Sequence, residues 1–119
     1  QVLTSTPVSW TTEFRCFCLG GRVLASSPYL RNGELAISDK GEWLFEPGEE
    51  QAVESFCEAV LHENASSLPA AVVIDVGQVS GSGWAVVEAN AAWGSGLYGC
   101  DPSLALDVIQ AACHTRVDA

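Results

Sequence analysis

Residues 70–76, AAVVIDV, are almost all apolar and mostly β-branched. A run of that kind suits a central strand covered on both faces, so the rest of the chain must supply flanking strands and helices for cover. Candidate neighbours precede it. Residues 13–19 (EFRCFCL) and 22–27 (RVLASS) are two β-prone runs joined by Gly20-Gly21, a dipeptide that permits the positive φ angles of a tight hairpin. Asn32-Gly33 marks a second hairpin leading to a short strand at residues 35–37, and Asp39-Lys40-Gly41 a further turn. The first third is expected to be an antiparallel meander.

Residues 49–61 read as an amphipathic helix. Ala52, Val53, Phe56, Cys57, Val60 and Leu61 recur in pairs every four positions, while Glu49, Glu50, Glu54 and Glu58 lie elsewhere. Early acidic residues suit the positive N-terminal end of a helix. Residues 64–69 are polar and broken by proline, hence a connection. Residues 84–90 (WAVVEAN) form another strand, followed by the loop AAWGSGLYG. Asp101-Pro102 then opens a last helix, with Asp101 as its cap, proline at its first position, and Leu104, Val108 and Ala111 on its inner face. No repeat or linker interrupts the 119 residues, of which 48% are hydrophobic, so one core and one domain over 1–119 are expected. The order βββ, α, ββ, α predicts an α+β fold: a mostly antiparallel sheet with two main helices packed on it.

Charge narrows the function classes. Five Lys+Arg against fifteen Asp+Glu give a formal charge of −10, which repels a nucleic-acid backbone, so no nucleic acid is expected as partner. Any bound polyphosphate must be screened by metal ions and by the few cations present: Arg15, Arg22, Arg31, Lys40 and Arg116. Cys16, Cys18, Cys57, Cys100 and Cys113 are odd in number and show no CxxC spacing, which points to neither a disulfide framework nor a closed zinc site. With no basic-then-apolar leader in QVLTSTPVSW and no apolar stretch near the roughly 18 residues of a membrane span, the chain reads as soluble, reduced and cytoplasmic.

The chemistry is concentrated in one place. If Gly81-Ser82 is the centre of a two-residue turn, positions equidistant from it oppose each other, and Asp75 falls across from Glu88. Asn90, two residues on, shares that face. Two opposed carboxylates in an apolar sheet repel unless a cation lies between them. Hard oxygen ligands with an amide carbonyl suit Mg²⁺ or Mn²⁺, which complete their shells with water and substrate phosphates. The plainer reading is a solvated carboxylate pair, or one neutralised by Lys or Arg. Against it, Asp75 interrupts an apolar run, and the nearby sequence supplies almost no cations.

These residues resemble the C-terminal half of an ATP-grasp enzyme, most closely a compact subfamily characterised by paired arginines and a lysine. In that superfamily an aspartate on one strand and Glu-x-Asn on the next hold the magnesium ions that bridge the nucleotide phosphates, as Asp75 and Glu88-Ala89-Asn90 would here. EFRCFCLGGRVLASSPYLR resembles the family's acidic-x-Arg strand and hairpin. That likeness implies that Arg15 is a catalytic, phosphate-contacting arginine and Arg31 a second ATP phosphate contact. NAAWGSGLYG resembles the substrate-facing loop, with backbone N–H groups of Gly94, Ser95 and Gly96 receiving an anion. At the position two before the metal aspartate, where some members carry arginine, this chain has Val73.

The resemblance covers about residues 13–113. It implies an ATP-dependent carboxylate–amine, or carboxylate–thiol, ligase working through an acyl-phosphate, with Mg²⁺ (or Mn²⁺) as cofactor and ATP as cosubstrate. The other substrates would be a small carboxylate and an amine acceptor. It also implies that the chain is half of a longer enzyme and inactive alone, since the lobe bearing the nucleotide-gripping lysines has no room before Glu13. Two other classes stay open: a non-catalytic nucleotide-binding or assembly module, and a divalent-metal-binding domain without nucleotide. No membrane partner is expected; an uncovered sheet edge would allow a homo-oligomer. His62 and His114 receive no role. Trp84, Trp93 and Tyr98 read as packing rather than an adenine platform, Cys100 as a buried structural thiol, and Cys16 and Cys18 as packed on one sheet face.

Overall fold

The computed structural model describes residues 10–79, 83–92 and 95–118, with side chains over 11–79, 83–92 and 95–113. The turn at Gly81-Ser82, Trp93 and Gly94 of the following loop, and the side chain of His114 lie outside that description.

Two long strands, β1 (Trp10–Leu19) and β2 (Arg22–Arg31), form the expected first hairpin, with Gly20 and Gly21 at φ +62° and +82°. Both angles lie in the region that glycine enters without a Cβ clash. Asn32 and Gly33 repeat the device before β3 (Glu34–Leu35), which is shorter than expected at two residues. The chain then passes through α1 (Glu49–Glu63) to β4 (Ala71–Val79), β5 (Gly83–Asn90) and α2 (Pro102–Asp118). The five strands are antiparallel throughout, in the order β3-β2-β1-β4-β5.

Alternation along β1 and β4 divides the interior in two. Phe14, Cys16 and Cys18 of β1, with Val72, Ile74 and Val76 of β4, face α1 and meet Val53, Cys57 and Leu61. Val53, Cys57 and Leu61 are the fully buried stripe of α1, and Ala52, Phe56 and Val60 flank it half-buried, Phe56 against the same core. Phe17, Val73 and Ala71 face the opposite way and meet Ala105 and Val108 of α2. The apolar run that becomes β4 is buried on both faces, from Ala71 to Gly77. Cys16 and Cys18 share the α1 face with Cys57, the Cys18 and Cys57 sulfurs lying 3.8 Å apart.

The last helix begins as expected, Asp101 Oδ1 accepting the N–H groups of Ser103 at 2.9 Å and Leu104 at 3.3 Å. Its inner face needs one correction. Leu104 is exposed, and Ala105 takes the buried position beside Val108 and the partly buried Ala111. A small residue there lets the helix approach the sheet closely.

Candidate functional site

Arg15 is the third of the odd-numbered β1 residues Thr11, Glu13 and Arg15, and it pairs directly with Asp75 of β4. Adjacent strands thus present opposite charges on one face, the face that also carries α2. The pair is closed in the bidentate geometry peculiar to arginine: Nε donates to Asp75 Oδ1 at 2.9 Å and Nη2 to Oδ2 at 2.7 Å. Asp75 is fully buried and Arg15 nearly so, at 9% exposure. The hydrogen bond to Asp75 outweighs burial and raises the guanidinium above its ordinary value, which keeps it charged at every accessible pH. The expectation that Asp75 lacks a nearby cation is corrected here. Arg15 is 60 positions away in sequence but in the adjoining strand.

On its other side Asp75 pairs with Glu88, as the hairpin reading expects, and the next pair on that face is Val73 with Asn90. The route to this register differs. Close to the turn, Val79 pairs with Gly83, one residue off the register of a Gly81-Ser82 centre, and an extra residue in β5 between the Val86 and Glu88 pairs restores it. That bulge sets Glu88, not Val87, across from Asp75. Three charged groups, Arg15, Asp75 and Glu88, therefore run in a row across β1, β4 and β5. Glu88 is exposed and Asn90 half-buried, and neither side chain makes a hydrogen bond or ion pair among the described residues.

The donor set can be judged against a hard divalent cation. Among the described residues no three His, Cys, Asp or Glu side chains group closely enough to hold a metal ion. The set here is smaller, two carboxylates and an amide on one sheet face. That matches the habit of Mg²⁺ of taking one or two carboxylates and leaving the remaining positions to water and phosphate. An ionised carboxylate accepts at about four lone-pair sites; Asp75 gives Arg15 two. The residues fit the ion, although Arg15 already offsets the burial of Asp75 without it.

Arg31 lies elsewhere. A bulge at Tyr29, between the pairs of Glu13 with Leu30 and Phe14 with Pro28, shifts the end of β2 by one residue. Arg31 then faces α1, with Nη2 and Nη1 donating to Glu49 at 2.6 and 2.8 Å and a further bond to the Leu44 carbonyl. The structure does not bring it to Arg15.

The loop after β5 contributes more than the sequence suggests. Ser95 is turned onto its own chain, its N–H bonded to the Ala92 carbonyl and its hydroxyl to that of Ala91. Gly96, by contrast, presents its carbonyl to Arg15 Nη1 at 3.1 Å. Gly99 N–H donates to the buried Ser27 Oγ at 3.0 Å, pinning the loop to β2. Tyr98, read from sequence as packing, stacks on Tyr29 with ring centres 5.0 Å apart and sets its edge against Trp43. The Arg15 guanidinium carbon lies 5.6 Å from the Tyr29 ring centre and 5.1 Å from that of Tyr98, within cation–π range. Tyr29, 14 residues from Arg15, carries no motif; only its β-bulge, invisible in the sequence, aims it here. Cys100 is buried beside Arg15, and burial pushes its thiol up to about 12 against the opposing pull of Arg15, with a smaller push from Asp75. It is a neutral packing thiol, as expected.

A family model described as an ATP-grasp domain, family 2 of the clade named for two arginines and a lysine, matches residues 1–108. No curated protein and no solved structure matches the chain significantly.

Proposed function

Because this chain belongs to that ATP-grasp domain family, family 2 of the two-arginine-and-lysine clade, we propose that it supplies the metal- and phosphate-binding half of an ATP-dependent ligase site. The substrate acted on is a small carboxylate, activated as an acyl-phosphate and then attacked by an amine or thiol. Family membership points to ATP-dependent, ligase-type chemistry; the observation that supports this particular site is the row Arg15, Asp75, Glu88, with Asn90 alongside, on one sheet face.

Phosphoryl transfer asks for position and charge rather than covalent catalysis by side chains. Asp75, Glu88 and Asn90 would hold Mg²⁺ or Mn²⁺, which when bound supplies charge neutralisation at the nucleotide phosphates. Asp75 also fixes Arg15, holding the guanidinium plane through two hydrogen bonds. Held in this way, Arg15 directs its remaining N–H donors at the transferring phosphate, where negative charge accumulates. Gly96, whose N–H makes no hydrogen bond among the described residues, would offer a further donor to the anion. Arg31, spent on Glu49, takes no part in this reading.

One observation favours a second reading. Three of the guanidinium's five N–H donors are committed inside the fold, as they would be in a module that retains the fold without turnover. Calorimetric titration of Mg·ATP into this chain, and into a form extended at its N terminus by the lysine-bearing lobe, separates the two. The ligase reading expects nucleotide binding by the longer form that is lost in Asp75→Asn and Glu88→Gln. Metal binding indifferent to nucleotide in both forms would sink it.

A further inference from the structure

The Gly96 carbonyl sits where an anion would be expected. Arg15 turns Nε and Nη2 to Asp75, and Nη1 away from it, toward the loop; the group that Nη1 meets is an uncharged backbone oxygen of an exposed glycine. Resting on the reading of Arg15 as a phosphate ligand, we infer that the segment 95–100 is a gate. Its Gly96 carbonyl occupies, on Arg15, the place of a phosphoryl oxygen, which must displace it to bind.

Each part of the segment fits that role. Beyond the packing of Leu97 and the buried Cys100 at its root, it is held by contacts that can be exchanged: one carbonyl on Arg15, one N–H on Ser27, and the rings of Tyr98, Tyr29 and Trp43. Tyr98 adopts φ +50°, a left-handed conformation that is strained for a non-glycine residue and persists only while its surroundings impose it. Gly99 is pressed so closely on Trp43 that a Cβ there would clash with the Trp43 Cβ. Against this, Tyr98 is 39% exposed, so lifting it uncovers little apolar surface. An anionic phosphoryl oxygen adds to its hydrogen bond with guanidinium a charge–charge attraction that a neutral carbonyl lacks. Phosphate can therefore win the exchange, turning the Gly96 carbonyl off Arg15.

If the segment competes with phosphate, weakening its anchors must tighten phosphate binding, because the open state no longer has to be populated at the expense of the closed one. The test is calorimetric titration of inorganic pyrophosphate with MgCl₂ into the whole chain and the Ser27→Ala, Tyr98→Ala and Arg15→Lys variants. Amide signals of Gly96 and Gly99 are followed by ¹⁵N NMR. Binding about tenfold tighter in both anchor variants, the equivalent of one lost competing hydrogen bond, is the expected result, with Gly96 and Gly99 shifting as the unaltered chain binds. Equal or weaker binding in Ser27→Ala and Tyr98→Ala, while Arg15→Lys still abolishes it, overturns the gate and leaves the phosphate site standing. If Arg15→Lys binds like the unaltered chain, both fall together. Two anchor variants on different elements guard against one of them misfolding.

Discussion

Replacing Arg15 by Met should cost more stability than any surface charge in the molecule. The substitution keeps most of the side-chain volume but leaves the Asp75 carboxylate, 1% exposed, without its cation. Breaking a buried pair by removing one partner costs about 3–5 kcal/mol, against about 0–1 for an exposed pair. For a domain of this size that is about 12–20 °C in melting temperature, and a large part of a total stability of about 5–15 kcal/mol. Asp75→Leu, which strands the guanidinium instead, should cost a similar amount. The double variant Arg15→Met/Asp75→Leu replaces the pair by apolar side chains and should recover most of either loss, since no charge is then left buried. Urea unfolding of the four proteins, followed by circular dichroism, gives the cycle. Additive losses, or a loss below about 1 kcal/mol in Arg15→Met, would refute the claim that the two charges hold each other in the interior.

Three further outcomes can be checked quickly. Gly99→Ala forces a Cβ against Trp43 and Ser27 and should destabilise by about 1–3 kcal/mol, whereas Gly96→Ala, whose Cβ would meet only Arg15 Nη1 at 3.8 Å, should be tolerated; thermal melts compare them. Burial raises the Glu49 carboxyl, but hydrogen bonds from Arg31 and from the Glu46 N–H outweigh it and hold it below 4.5. Its contribution is therefore present above pH 4.5 and lost as pH falls through the lower, folded-state value; urea midpoints of Glu49→Gln should fall less steeply than those of the unaltered chain on acidification. Iodoacetamide should modify the exposed Cys113 fast and Cys16, Cys18, Cys57 and Cys100 only on unfolding, as mass spectrometry would show.

Much of this was legible in the residues because it depends on periodicities. The two-sided burial of β4 follows from AAVVIDV, and the first hairpin from Gly20-Gly21. Asp75 meets Glu88 because a hairpin fixes its own register, even though the real strand reaches that register through a bulge. What was not legible depends on long-range pairing or on single extra residues. Nothing local says that β1 lies beside β4, so the cation that neutralises Asp75 stayed hidden. The bulge at Tyr29 turns Arg31 to the α1 side and brings a phenol ring to Arg15, and no composition rule announces it. Ala105, not Leu104, is inward because the successive apolar residues Leu104, Ala105 and Leu106 do not state which side of the helix faces the sheet.

Asp75, Glu88 and Asn90 are proposed to hold a divalent ion at the nucleotide phosphates. Mn²⁺, whose unpaired electrons broaden nearby resonances, tests it most directly when added with ATP to the ¹⁵N-labelled, N-terminally extended protein. Loss of the Asp75, Glu88 and Asn90 amide signals first, and only when ATP is present, is the result expected. Broadening that begins instead at the acidic start of α1, around Glu49 and Glu50, or that ignores ATP, would contradict it.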